Sequence, residues 1–205
     1  MGLTNAQLRE HLDAVAADDA IVAAAIERCG YPEERIRSTG HRTLLRTIVG
    51  QQVSVASAAA VWNKLEAEIG EDMLPQDLLA RDFDTLRACG LSRQKQGYAR
   101  SLCELVASGE LAFDNLPEDD EAAIAELTRI KGIGRWSAEI YLLFAEGRQD
   151  IWPAGDLAVQ EAVGRMLELP ARPGEKETRE LGERWRPHRG AMAIFTWHTY
   201  NNAAL

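Results

Sequence analysis

Apolar residues along this chain recur with the period of an α-helix and nowhere with that of a strand, which confines it to the all-α class. Val55, Ala58, Trp62, Leu65 and Ile69 fall at i, i+3, i+7, i+10 and i+14, one stripe on a helix of 3.6 residues per turn. Tyr98, Leu102, Leu105 and Val106 repeat the pattern, as do Ala158, Ala162, Val163 and Met166. Alternating apolar and polar runs of useful length are missing, as are internal repeats and low-complexity tracts. Helix-ending chemistry falls at Gly30-Tyr31-Pro32, Gly70, Gly90, Pro117, Pro153 and from Pro170 to Gly174. A length of 205 residues is enough to bury a hydrophobic core, in one large domain or two small lobes.

The N-terminus shows no basic stretch followed by an apolar segment, and no apolar run approaches the roughly 18 residues needed to span a bilayer. A soluble intracellular protein with no membrane partner is expected, cytoplasmic and nucleoid-associated, or nuclear in a eukaryote. Cys29, Cys89 and Cys103 are odd in number and include no CxxC pair, which argues against a disulfide framework and against a zinc or iron–sulfur site. They are expected to be core thiols. His11, His41, His188 and His198 show no ligand spacing. No cofactor is expected.

One segment points to chemistry. Leu127-Thr-Arg-Ile-Lys-Gly-Ile-Gly-Arg-Trp-Ser-Ala-Glu-Ile140 reads as a helix, a tight Gly132-Ile133-Gly134 turn, and a second helix that is almost wholly apolar from Ala138 to Ala145. Glycine admits positive φ and close approach of the main chain, and the N–H groups opening the second helix lie unpaired at the positive end of its dipole. That combination suits a phosphate. An ordinary αα-hairpin, its glycines capping one helix and starting the next, fits the same residues. Gly-x-Gly alone leaves both readings open.

The surroundings of this hairpin resemble the helix-hairpin-helix DNA glycosylase superfamily, in which a Gly/Pro-rich loop follows the hairpin and ends in a catalytic aspartate. Here Trp152-Pro-Ala-Gly155 is the loop and Asp156 the aspartate. Ile48-Val-Gly-Gln-Gln-Val-Ser54, Gly90-Leu-Ser-Arg-Gln-Lys95 and Trp185-Arg-Pro-His-Arg-Gly190 are similar to the alkylpurine (3-methyladenine) branch and occur in that branch's order. The resemblance runs from about residue 20 to the C-terminus. It implies a two-lobed all-α fold over 1–205: a contiguous lobe at about 42–150 carrying the hairpin 127–140, a second lobe from about 1–41 plus 151–205, and the active cleft between them. Some branch members carry an extra N-terminal β-rich domain, and this chain starts too close to its helical core for one to be expected.

The resemblance also assigns roles. Asp156 would stabilise the positive charge that builds on the sugar as an N-glycosidic bond breaks, and would orient water. As a residue it is equally an N-cap for the helix from Leu157, without a capping box because Val159 stands at N3. Branches that also cut the backbone have a Schiff-base lysine where this chain has Trp136, so a monofunctional enzyme is expected. Trp136 and Trp197 fall in the base pocket, and their ring faces would attract the formal positive charge of purines methylated at N3 or N7. For Trp197, packing in the apolar Ala191–Trp197 helix is an equal alternative. Family members often have a tyrosine where this chain has Ile140, and Tyr141 is its neighbour. The Gly50–Ser54 turn is the wedge, with Gln52 entering the duplex and Gln51 beside it. Two glutamines facing water at a helix junction would look the same. Gly132, Gly134, Lys131, Arg135 and Arg189 would meet DNA phosphates, with His188 next to them. The carbonyls of Thr128, Ile130 and Ile133 would hold a structural monovalent cation.

A net charge of −9 opposes DNA binding, since nucleic-acid partners usually meet a basic footprint. The charge is uneven, however: Asp and Glu crowd residues 9–34, 64–84 and 110–126, whereas Arg129, Lys131 and Arg135 flank the hairpin and Arg184, Arg186 and Arg189 lie near the end. The expected partner is double-stranded DNA with damaged bases, bound with modest, salt-sensitive affinity and without an obligate protein partner. Rival readings are a non-catalytic helix-hairpin-helix DNA-binding module, a helical interaction scaffold, and a glycosylase for neutral lesions such as hypoxanthine or ethenoadenine.

Overall fold

The computed structural model describes residues 2–202. Among them the chain is helical without a strand: α1 (Asn5–Asp18), α2 (Ala20–Cys29), α3 (His41–Gly50), α4 (Val55–Ile69), α5 (Pro75–Leu79), α6 (Phe83–Ala88), α7 (Arg93–Ala107), α8 (Asp120–Thr128), α9 (Arg135–Tyr141), α10 (Leu157–Met166), α11 (Glu175–Gly182) and α12 (Arg189–Asn201). α9 continues into a π-helical turn, Leu142–Glu146, which Gly147 ends at φ 77°. Every break read from the sequence lies between helices.

The chain divides into two compact units, Ser38–Ala138 and Met1–Arg37 with Glu139–Leu205. The sequence puts the contiguous lobe at about 42–150; the compact unit ends at 138 because α9 runs on from one unit into the other. Ile140 to Ala145, at the end of α9 and in the π-helical turn, are buried.

In Ser38–Ala138, α3 buries Leu44, Leu45, Ile48 and Val49 and packs on α4 and α7. α4 contributes Trp62, Leu65 and Ile69, each such side chain stabilising the core by about 1.5–3 kcal/mol. Val55, counted in that stripe by its spacing, is 88% exposed, since it stands at the first helical position, beyond the reach of the core. Ser54, Asp82, Ser92 and Asp119 cap the starts of α4, α6, α7 and α8 with side-chain oxygens, satisfying amides that have no helical partner.

In the other unit α12 is buried along most of its length, packing on α1, α2 and α10. Asp19 ties distant segments together: Oδ1 accepts from the N–H groups of Ile21 and Val22 to start α2, and Oδ2 accepts from Trp185 Nε1 at 3.1 Å. Cys89 and Cys103 are buried and Cys29 only partly so, which makes two of the three core thiols. Burial pushes the Cys103 thiol up to about 12, so it is inert at neutral pH. No helix among the described residues is long and apolar enough to cross a membrane.

Candidate functional site

Asp156 opens α10 at φ −76° and ψ 124°. Its Oδ1 accepts from the N–H groups of Ala158 at 2.8 Å and Val159 at 3.1 Å, and from Trp197 Nε1 at 3.2 Å. The loop before it is fastened at several points: Asp156 N–H donates to Pro153 O, Gln160 Nε2 to Ala154 O, and Trp152 Nε1 to Thr178 O. A half-buried carboxylate at the positive end of a helix, fixed by three donors, is held in one direction. The Trp197 ring stacks on Phe144 of the π-helical turn at 5.5 Å and 29°. It also lines a recess of about 300 Å³ with Tyr31, Pro32, Ile194 and His198. One edge of the indole thus holds the carboxylate and part of it faces open space.

In Ser38–Ala138 the hairpin runs from α8 through residues 129–134 into α9. Gly132 has φ 81°, and a Cβ there would stand 2.2 Å from the Tyr98 ring. Two internal constraints thus fix it as glycine. Gly134 has neither: its φ is not positive, and a Cβ would meet nothing within 4 Å. The second glycine thus has open space beside it at the start of α9, which a cap-only hairpin does not require. Of the carbonyls assigned to a cation, that of Ile130 already accepts from Ile133 N–H at 3.0 Å. That bond uses one of its two lone pairs. The second motif lies on the same unit. Gln52 is exposed at the tip of the turn between α3 and α4 with φ 55°, a left-handed conformation that costs a non-glycine residue about 1–2 kcal/mol.

The helix-hairpin-helix model of base excision DNA repair proteins, HhH-GPD, matches residues 45–187, spanning the Gln turn, the hairpin and the aspartate. The chain belongs to the HhH-GPD superfamily. DNA-3-methyladenine glycosylase 1 of Schizosaccharomyces pombe is 32% identical over 163 residues, which are 78% of this chain and 72% of that protein. A crystal structure of DNA-3-methyladenine glycosidase from Bacillus halodurans superimposes with a TM-score of 0.88 at 29% identity, covering 95% of this chain and 90% of that one. The S. pombe 3-methyladenine DNA glycosylase Mag1, solved with abasic DNA, gives 0.80 at 27% identity, with 96% and 98% covered.

Within this HhH-GPD frame several expected site residues turn out to be engaged elsewhere. The Arg189 side chain is paired within the protein: it is 10% exposed, with Nε and Nη2 on the two Asp150 oxygens at 2.8 Å and Nη1 on Glu183 at 2.7 Å. Arg184 and Arg186 are also paired, with Asp19 and with Glu183 and Asp150. Arg135 is held by both oxygens of Glu121, a solvated pair that a phosphate can displace at little cost. Lys131 is exposed and makes no ion pair among the described residues. Gln51 is only partly exposed, and its Nε2 donates to Gly132 O at 2.8 Å. Trp136 is 47% exposed, unusual for an indole, whereas Ile140 and Tyr141 are 7% and 2% exposed. Both side chains are thus buried.

Sequence reasoning assigned no role to Phe144 or Lys95. Lys95 closes the Gly90–Lys95 motif, a signal that was present without a partner to explain it. The contrast between the hairpin glycines has a direct test. Gly132→Ala should lower the melting temperature, by strain at positive φ and by collision with Tyr98, costing about 1–3 kcal/mol. Gly134→Ala should leave melting nearly unchanged and weaken duplex binding in a fluorescence titration. Unchanged binding by a folded Gly134→Ala protein would return the hairpin to a structural role.

Proposed function

We propose that this chain is a monofunctional DNA glycosylase that hydrolyses the N-glycosidic bond of alkylated purines in duplex DNA and leaves an abasic site. The observation that carries the reading is the Asp156 carboxylate, fixed by two backbone amides and the Trp197 indole in the loop that follows an HhH-GPD hairpin. Relatives named DNA-3-methyladenine glycosylase support it. As the bond to the base lengthens, positive charge grows at C1′. An anion already oriented there stabilises the transition state more than the ground state and requires no reorganisation. Water completes the displacement. Trp136 stands where a Schiff-base mechanism needs an amine, so the sugar is attacked by no side chain of α9.

The preferred bases are cationic purines, 3-methyladenine and 7-methylguanine. Their charge makes them good leaving groups, and the ring faces of Trp136 and Trp197 favour a cation over a neutral ring by about 2 kcal/mol once water is excluded. Extruding such a base from the stack costs a few kcal/mol, and Gln52 fills the gap and hydrogen-bonds the orphaned partner. The test is an alkali-cleavage gel on duplexes carrying one 7-methylguanine or one hypoxanthine, run with and without borohydride. Alkali-dependent cleavage of the 7-methylguanine strand, slower cleavage of the hypoxanthine strand and no trapped adduct are expected. A trapped adduct would refute monofunctional chemistry, and no cleavage of either strand would leave a DNA-binding module.

A further inference from the structure

Helix α7 holds both DNA-facing features of its unit through one row of side chains. Lys95 Nζ donates to Val49 O at 2.7 Å, in the last turn of α3. One helical turn further along α7, the Tyr98 ring packs against Gly132 of the hairpin. One more turn on, Ser101 Oγ accepts from Lys131 N–H at 3.1 Å. Residues three apart share a helix face, so Lys95, Tyr98 and Ser101 form a rail with the Gln turn at one end and the hairpin at the other. Gln51 closes the loop by bonding directly to Gly132 O.

Gln52 lies between these two tethers. It is one of three non-glycine residues with positive φ among those described, and such a conformation persists only where its surroundings over-determine it. On one side α3 ends in carbonyls that have outrun their helical donors, and α3 has no basic residue in its own last turn. Lys95 supplies the missing cation and donor from another helix. Burial lowers the pKa of that amine, a desolvation that a solvated lysine avoids and that the bond to Val49 O offsets. On the other side Gln51 is extended, at φ −60° and ψ 130°, with its amide fixed to the hairpin.

We propose that Lys95 and Gln51 are positioning residues that set the strained Gln52 tip at a fixed place relative to the hairpin, so that gripping the DNA backbone at the hairpin delivers Gln52 to the base stack. The proposal rests on the reading of the Gln turn as the wedge. Neither residue touches the reacting atoms. Their effect should appear only where a nucleotide has left the stack, whereas a merely structural role would affect every duplex alike.

The test measures dissociation constants for a duplex with a tetrahydrofuran abasic analogue and for its undamaged counterpart, by fluorescence anisotropy. Wild type should prefer the abasic duplex. Lys95→Met and Gln51→Ala should each reduce that preference about tenfold while undamaged binding stays within about twofold. Lys95→Met combined with Gln52→Ala should be no worse than Gln52→Ala alone, because the lysine acts through the glutamine. Multiplying effects in the double variant, or equal losses on both duplexes, would overturn the proposal. Loss of preference in Gln52→Ala with none in Lys95→Met or Gln51→Ala would sink it while sparing the wedge, and a wild type without preference would remove both. Should Lys95→Met fail to fold, Gln51→Ala carries the comparison, since its side chain is outside the core.

Discussion

Asp156→Asn should leave the protein folded and bound to DNA while lowering single-turnover base release by about a thousandfold, the scale on which loss of preorganised electrostatic stabilisation acts. The structure separates the two roles of this side chain. Oδ1 holds the N–H groups of Ala158 and Val159 and the Trp197 indole, and an asparagine carbonyl can accept the same three bonds. Asparagine is also as good an N-cap as aspartate. What disappears is the charge opposite the developing cation. Asp156→Ala removes both, so it should lose activity and also about 0.5–2 kcal/mol of stability. Melting curves beside single-turnover rates on 7-methylguanine DNA decide the matter. Release by Asp156→Asn at near wild-type rate would end the catalytic assignment; a melting loss in proportion to the rate loss would make the residue a cap alone.

What the sequence made legible was local. Period and punctuation give the helices and breaks, because the 3.6-residue repeat and the chemistry of Gly and Pro act over a few neighbours. Asp156 as a cap without a capping box was readable in the same way, from its own residue type and Val159 at N3. Partner choice was not. Arg189 sits in a basic-looking C-terminal segment, but its carboxylate Asp150 lies 39 residues away, and no spacing rule links them. Gln51 and Gly132 O are 81 residues apart, so nothing in the sequence around the Gln turn shows that this glutamine bonds to the hairpin. The π-helical turn left no mark, since Leu142–Glu146 reads as a continuation of an apolar helix. That turn places Phe144 under Trp197.

Trp197→Phe is the second variant with a large expected effect. Phenylalanine keeps a smaller aromatic face to stack on Phe144 and deletes the N–H that donates to Asp156 Oδ1. A hydrogen bond to a charged group contributes about 1.5–3 kcal/mol, so base release should slow by roughly ten- to a hundredfold. The two backbone amides still hold Oδ1, so the loss should be smaller than that of Asp156→Asn. The split between kinetic constants identifies the mechanism. If the indole orients the carboxylate, kcat falls and KM changes little, because the interaction matters most as charge develops at C1′. If Trp197 serves chiefly as a stacking face for the base, KM rises and kcat holds, the signature of lost uniform binding. Combining Trp197→Phe with Asp156→Asn sharpens the test: a residue that works through the carboxylate adds nothing once the charge is gone. A further drop in the double variant would give the indole a role of its own at the base.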